Sequence, residues 1–259
     1  MLQQSNATVF IVDYGCEQQS GKWAASAFTD APNLKIIEVT DDPVFCKSRA
    51  MNIAASQCTG DFLFFIDVDI RMKSDFSGWV RNSAQQGRYY RKKPTNSTID
   101  LQTDGCCVVS RADFEAVGGF DEAFRGWGSE DADFYERLEI NSVARDFFDS
   151  SYVTPILHGN EKRQFGVSSG GYDDETQALI VGTIYRMIKV DIFKITDNWP
   201  TLPERKMIFE ALLNEHRRLK AAKASAGYFF VTVSAARDKA KHVNFTRKLI
   251  YEFYVDRLR

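Results

Sequence analysis

An apolar run that ends in two aspartates places the strongest limit on the fold of this 259-residue chain. The run extends from Phe62 to Ile66, and Asp67 and Asp69 follow it with one residue between them. A strand that is apolar on both faces is typical of the inside of a parallel sheet that helices cover on both sides. Such sheets bind ligands at the carboxyl ends of their strands. The sequence therefore predicts an α/β fold with a binding site at Asp67 and Asp69.

The two aspartates have the chemistry of a divalent-cation site. Because side chains alternate along a strand, both carboxylates are expected on one side, with Val68 pointing away. Carboxylate oxygens suit Mg²⁺ or Mn²⁺, and these ions keep coordination positions open for the phosphates of a substrate. The alternative is that an isolated Asp-X-Asp only begins a polar loop.

Three further segments accompany the aspartates. Lys47-Ser-Arg-Ala50 precedes the strand, while Gly118-Gly-Phe-Asp-Glu122 and then Gly126-Trp-Gly-Ser-Glu-Asp-Ala-Asp133 follow it. In this order the motifs resemble the metal-dependent glycosyltransferases of the GT-A fold. The β-1,4-galactosyltransferases and the bacterial family 2 enzymes that build capsules are the most similar in pattern. The resemblance covers roughly Thr8 to Arg163. It implies a Rossmann-like, mixed and mainly parallel sheet flanked by helices.

The resemblance assigns donor and metal roles to several side chains. It implies that Asp69, with Asp67 and His158, holds Mn²⁺ or Mg²⁺ on the diphosphate of the donor. Arg49, near the start of a helix, would contact that diphosphate, because helix N-termini and guanidinium groups both bind phosphate. Its alternative role is a surface salt bridge. Asp13 would approach the uracil or ribose, and its alternative role is that of a turn-forming Asp after a strand.

The second acidic cluster is predicted to be a glycine-hinged loop that enters a helix at Ser129. By resemblance, Asp131 is the general base, Glu130 helps to hold the acceptor hydroxyls, and Trp127 closes over the substrates. The structural alternative is that acidic side chains in the first turn only stabilise the helix dipole. Asp133 is assigned to support of the loop.

The amino end departs from the pattern of the resembling enzymes. Those enzymes usually begin with another strand and helix, whereas only Met1 to Ala7 precede the first predicted strand here. The expectation is therefore that the first strand-helix unit is missing. A donor is then expected to bind weakly or to require a partner chain.

The remaining elements follow from local patterns. Strands are expected at Thr8 to Val12, Leu34 to Val39, Asp104 to Ser110 and Tyr152 to Leu157, and helices at Lys47 to Cys58, Ser74 to Gln86 and Arg111 to Val117. The basic segment Arg88 to Pro94 is interpreted as a solvated loop or a sugar-facing rim. Residues 1–173 are predicted to form the catalytic domain. Residues 174–259 are predicted to be a helical extension, with helices at Glu175 to Ile195, Leu202 to Ala226 and about Val243 to Leu258.

Composition restricts partners and location. The chain is 44% hydrophobic and 26% charged, and its net charge of −2 gives no general attraction to nucleic acid. Five cysteines without metal spacing fit reduced thiols in a cytoplasm. The sequence shows neither a secretory signal nor a membrane-spanning stretch. The predicted location is the cytoplasm, with peripheral contact at the inner membrane surface as an alternative.

The resemblance implies an inverting transfer of a sugar from a UDP-sugar to a carbohydrate hydroxyl, in surface polysaccharide synthesis. The acceptor would be a saccharide or a glycolipid. A noncatalytic sugar-binding or scaffold subunit is one alternative. A nucleotidyltransferase is another, although the amino end carries no glycine-rich, lysine-bearing nucleotide loop.

Overall fold

The computed structural model describes residues 6–95, 103–125, 128–156, 174–224, 226–234 and 246–254. These residues form a mixed α/β structure that divides into two compact units. The first unit comprises residues 1–121 and 131–163, and the second comprises residues 122–130 and 164–259. The boundary therefore falls at the start of the acidic helix, between Glu130 and Asp131.

The strands and helices of the first unit occur in the following order along the chain: β1 (Val9–Asp13), α1 (Ser20–Ala27), β2 (Leu34–Glu38), α2 (Lys47–Gln57), β3 (Phe62–Phe65), β4 (Ile70–Met72), α3 (Phe76–Ser83), β5 (Arg88–Lys92), β6 (Cys107–Ser110), α4 (Arg111–Ala116), α5 (Glu130–Ile140), β7 (Ala144–Phe148) and β8 (Val153–Pro155). The first residue of α5 belongs to the second unit. Most of these elements lie within a few residues of their predicted positions, but α1, β4, β5 and β7 were not predicted as helix or strand.

Strand pairing is mixed. Strands β1 and β2 pair in parallel, and β5 pairs in parallel with β7. Strand β6 pairs antiparallel with both β3 and β5, so the four-stranded sheet has the order β3-β6-β5-β7. The mixed α/β class is confirmed, but β3 is not an inner strand of a parallel sheet. Within the described residues it pairs only with β6, in the antiparallel direction.

Both faces of β3 are nevertheless covered, which explains its unbroken apolar sequence. Leu63 and Phe65 pack into one core cluster together with Ala55 of α2 and residues of α4 and α5. Phe62 and Phe64 face a second cluster that contains Phe76 and other aromatic side chains. An apolar run indicates that both faces of a strand are buried, but it does not predict the direction of the neighbouring strand.

The basic segment after α3 is a strand rather than a loop. Tyr89 and Tyr90 of β5 are buried, because β5 lies between β6 and β7 in the sheet. Arg88 and Arg91, on either side of the tyrosines, form ion pairs with Asp146 and Asp104. The prediction of a solvated loop was therefore wrong for the backbone.

The second unit contains α6 (Glu175–Thr196), α7 (Leu202–Ala221), β9 (Ala226–Ser234) and β10 (Thr246–Tyr254). The first two helices are confirmed, although α7 ends earlier than predicted. The third predicted helix, at about Val243 to Leu258, was wrong because β10 pairs antiparallel with β9. Leu249 and Tyr251 alternate toward the core of α6 and α7, and Ile250 between them is exposed. None of the described helices combines the length and the apolar composition that crossing a bilayer requires.

Candidate active site

The aspartates of the central motif lie in a turn between β3 and β4. Strand β3 ends at Phe65, and residues 68 and 69 adopt a turn, so alternation along a strand does not set the direction of the carboxylates. Val68 is 96% exposed at the tip of this turn. Asp67 and Asp69 on either side of it are partly buried. The motif therefore projects from the sheet edge as a short acidic turn.

Lys47 joins this turn to the acidic helix. Its Nζ lies 3.1 Å from Oδ1 of Asp67 and 3.2 Å from Oδ2 of Asp131. The side chains of Lys47 and Asp131 are 15% and 20% exposed, so the ammonium group is largely removed from bulk water. Two acidic residues that are 64 positions apart in the sequence thus share one cation.

Gly105 forms the floor beneath this cluster. A Cβ atom at Gly105 would lie 2.8 Å from Oδ2 of Asp67, 3.2 Å from Oδ2 of Asp131 and 3.3 Å from Nζ of Lys47. A separation under 3 Å is a steric overlap, so this position has room only for glycine unless the charged groups shift. Cys106, the next residue, is fully buried, and this burial raises the pKa of its thiol, with a further contribution from Asp67.

Sequence reasoning did not select Lys47 or Gly105 as site residues. Lys47 belongs to the basic motif, but the resemblance assigns a role to Arg49 and none to Lys47. A weak signal was present, since the helix dipole disfavours a lysine at the first position of a helix and nearby acids would offset this effect. Gly105 gave no local signal, because the close approach arises from residues far away in sequence.

Arg49 makes the contacts of a salt bridge. Its Nη2 lies 2.6 Å from Oδ2 of Asp41, and its Nη1 lies 3.3 Å from Oδ2 of Asp42. Tyr14 donates a hydrogen bond to the same Asp42 oxygen, and its burial and this bond raise the pKa of Tyr14 to about 12. These contacts match the alternative given for Arg49, and contact with a diphosphate stays a prediction.

Asp13 is engaged by backbone groups. Its Oδ1 accepts a hydrogen bond from the N–H of Cys16, and its Oδ2 accepts one from the N–H of Gly21 in the first turn of α1. This is the turn-forming role. The donor-binding role of Asp13 stays a prediction.

Asn52 and Arg137 anchor the segment that precedes the acidic helix. The amide of Asn52 accepts a bond from the N–H of Phe120 and donates one to its carbonyl. Arg137 of α5 donates to the carbonyls of Val117 and Gly119, and its Nε lies 2.9 Å from Oδ2 of Asp133. Asp133 is 1% exposed, in agreement with the supporting role that was predicted for it.

Of the three remaining predicted site residues, the structure describes only Glu130. Glu130 is buried, and its Oε2 accepts a hydrogen bond from the N–H of Gly128 within the second unit. Trp127 and His158 lie outside the described residues. The chain leading toward His158 runs beside the acidic turn, because the N–H of Ile156 donates to the carbonyl of Asp69 and β8 pairs with β4.

The donor set suits a hard cation. Asp67 and Asp69 offer carboxylate oxygens, which Mg²⁺ and Mn²⁺ prefer. Among the described residues, no three acidic, histidine or cysteine side chains are gathered closely enough to form a complete metal site. Two carboxylates leave coordination positions open, which suits a cation that the phosphates of a ligand also hold.

Comparison with known proteins agrees with this geometry. Residues 92–158, which include the acidic helix, match the family model described as the N-terminal domain of galactosyltransferase. A mannosyltransferase, PcManGT from Pyrobaculum calidifontis, solved in complex with GDP-Man and Mn²⁺, superposes with a TM-score of 0.50 at 15% identity, over 85% of this chain and 69% of that chain. The fold is that of a GT-A glycosyltransferase.

Curated relatives point to the same group. Over 138 residues the chain is 25% identical to chondroitin sulfate synthase 3 of Mus musculus, covering 43% of this chain and 16% of that protein. Over 137 residues it is 26% identical to β-1,4-galactosyltransferase 4 of Cricetulus griseus, covering 50% of this chain and 40% of that protein. The GT-A chain thus spans less than half the length of these curated relatives.

Proposed function

We propose that this GT-A chain is an inverting, metal-dependent glycosyltransferase that moves a sugar from a UDP-sugar to a carbohydrate hydroxyl. One observation carries the proposal: Lys47 brings Asp67 of the strand-end turn and Asp131 of the acidic helix to a single ammonium group. A metal-side acid and a candidate base thereby share one site. The match of residues 92–158 to a galactosyltransferase domain supports the same function.

The acidic turn is proposed to hold the donor. Asp69, with Asp67 and His158, would bind Mn²⁺ or Mg²⁺. Such a cation supplies positive charge that stabilises the diphosphate as it leaves. UDP is the nucleotide that the resemblance implies, whereas the mannosyltransferase PcManGT was solved with GDP-Man. A donor panel therefore has to include both nucleotides.

Asp131 is proposed to act as the general base. As the acceptor oxygen attacks the anomeric carbon, its proton passes to the Asp131 carboxylate, and the bond from that carbon to the diphosphate oxygen breaks. Attack from the face opposite to the leaving group inverts the anomeric configuration. Glu130 and Trp127 are proposed to hold the acceptor, and Arg49 and Asp13 to contact the donor.

The acceptor is proposed to be a saccharide or glycolipid of a surface polysaccharide. A cavity of about 290 Å³ offers space for a sugar beside Asp104, which adjoins Gly105 in the chain. Its lining includes Arg91, Lys92, Thr103 and Arg145. A cytoplasmic location, with contact at the inner membrane surface, is proposed together with this role, and the five free thiols are compatible with it.

Paired measurements on two variants test the proposal. Calorimetry with UDP is expected to show binding that depends on Mn²⁺ in the unmodified protein and loses this dependence in Asp69→Ala. In Asp131→Asn the rate of sugar transfer is expected to fall about a hundred- to ten-thousandfold, since loss of a general base typically costs that much. Its UDP affinity should stay within about a few fold, because Asp131 lies on α5 rather than on the metal-side turn.

The exposed carboxylate Asp146 provides the matched control, and Asp146→Asn should leave both quantities unchanged. Near-normal transfer by a folded Asp131→Asn protein would reject the base assignment and direct attention to Glu130. Equal UDP affinity with Mn²⁺ and with chelator would reject the metal assignment. Saccharide binding without transfer or donor hydrolysis, for any UDP- or GDP-sugar, would favour the noncatalytic alternative.

A further inference from the structure

We propose that Lys47 is a positioning residue that holds Asp67 away from the catalytic cation and orients Asp131 toward the acceptor. This inference rests on the proposed function and changes one part of it, because Asp67, given above as a second ligand of the cation, becomes the anchor of Lys47. Asp69 then carries the metal, and Asp67 serves as the anchor of Lys47.

The position of both Asp67 oxygens carries the first step. Oδ1 lies 3.1 Å from the Lys47 ammonium, and Oδ2 would lie 2.8 Å from a Cβ atom at Gly105. A divalent ion on either oxygen would sit close to the ammonium and be repelled by it. Asp67 is therefore poorly placed to coordinate the cation directly.

The location of Lys47 in its helix carries the second step. It is the first residue of α2, whose first turn contains no acidic residue. A cation at a helix N-terminus is opposed by the helix dipole, so the fold does not gain helix stability from a lysine here. The gain comes from the two carboxylates that it contacts, Asp67 and Asp131, which belong to different elements.

The contact with Asp131 carries the third step. Oδ2 of Asp131 lies 3.2 Å from the ammonium, and this restrains the carboxylate at the start of α5. A base must be held in a narrow range of positions for proton transfer to be efficient. Lys47 supplies that restraint from a third element, α2, while Gly105 leaves the space in which the three groups meet.

Titration of the protein with Mn²⁺ alone, followed by the electron paramagnetic resonance signal of free Mn²⁺ at fixed ionic strength, tests the metal side. Lys47→Met is expected to bind Mn²⁺ more tightly than the unmodified protein, by about tenfold or more, because the change removes repulsion by the ammonium and releases the Asp67 carboxylate. Asp69→Asn should abolish this binding. Lys35→Met, an exposed lysine on β2, is the matched control and should change nothing.

A double-mutant cycle then identifies the partner. In an Asp67→Asn background, Lys47→Met should strengthen Mn²⁺ binding less than it does in the unmodified background, because the repulsion by the ammonium is still removed but no carboxylate is released. Transfer assays test whether Lys47 orients Asp131. Lys47→Met should lower kcat about tenfold or more with little change in the KM of the donor. Lys47→Arg should recover part of that loss, since a guanidinium group can still bridge two carboxylates.

The outcomes separate this inference from the proposed function. Unchanged Mn²⁺ affinity in Lys47→Met would overturn the role of Lys47, even if the enzyme transfers sugar normally. Tighter Mn²⁺ binding without transfer from any nucleotide sugar would support the role of Lys47 at a cation site and remove the glycosyltransferase proposal. Absence of Mn²⁺ binding in both proteins would overturn the metal-side role as well.

Discussion

Arg137 is expected to be among the most sensitive positions in the first unit. Its Nε lies 2.9 Å from Asp133, and their side chains are 5% and 1% exposed. The same guanidinium donates bonds of 2.6 and 2.7 Å to the carbonyls of Val117 and Gly119. Arg137→Met keeps most of the apolar volume but leaves the Asp133 charge buried and removes both carbonyl contacts.

Removal of one partner of a buried ion pair costs about 3 to 5 kcal/mol, because the remaining charge stays desolvated. We expect a loss of that size in the free energy of unfolding of the first unit. For a unit of this size, about 2 to 4 °C of Tm accompany each kcal/mol, so the Tm should fall by about 6 to 20 °C. The control is Arg88→Met, since Arg88 pairs with Asp146 at 46% and 44% exposure. It should cost about 1 kcal/mol or less.

Urea titration followed by tryptophan fluorescence measures both variants, because Trp79 stacks on Phe76 in the core of the first unit. A second variant separates the buried charge from simple loss of packing. Arg137→Met combined with Asp133→Leu removes both charges and should be more stable than Arg137→Met alone. If the single variant lost no more stability than Arg88→Met, or if the double variant were less stable than the single one, the reasoning would be refuted.

Three further predictions concern other parts of the chain. Asn52→Ala should lower the stability of the first unit by about 2 to 5 kcal/mol in urea titration, because two backbone groups of the buried Phe120 lose their partner. The control Ser56→Ala, on the exposed side of α2, should cost little. In thiol alkylation followed by mass spectrometry at neutral pH, Cys16 should react before Cys106 and Cys107. Its hydrogen bond with Ser20 lowers the pKa of Cys16, whereas burial raises the pKa of the other two thiols. Equal rates at Cys16 and Cys106 would contradict this expectation. Hydrogen bonds from the backbone and hydroxyl of Thr201 lower the pKa of Glu204 below its usual 4.5. The stability that the ionised form adds to α7 should therefore be present above pH 4.5 and be lost as the pH falls further. Thermal unfolding of Glu204→Gln should show a lower stability than the unmodified protein at about pH 7 but not at about pH 3.

The sequence by itself was sufficient for features that depend on neighbours along the chain. Helices α2 and α6 begin and end close to their predicted residues, because caps and helical spacing are local signals. The apolar run of β3 reported burial on both faces, and the order of charged motifs indicated the GT-A fold. The same order of motifs identified the acidic turn and the acidic helix as candidate site segments.

Tertiary structure decided how these segments meet. Leu249 to Phe253 fits helical spacing and strand alternation about equally, and pairing with β9 selected the strand. The direction of β3 relative to β6 likewise depends on chain connections rather than on its own residues. At the candidate site, the ammonium of Lys47 meets an aspartate 84 residues away, and Gly105 is required by groups from two other elements. Distances of this kind follow from the packing of whole elements, because a local pattern records what a residue prefers and not which distant residue it contacts.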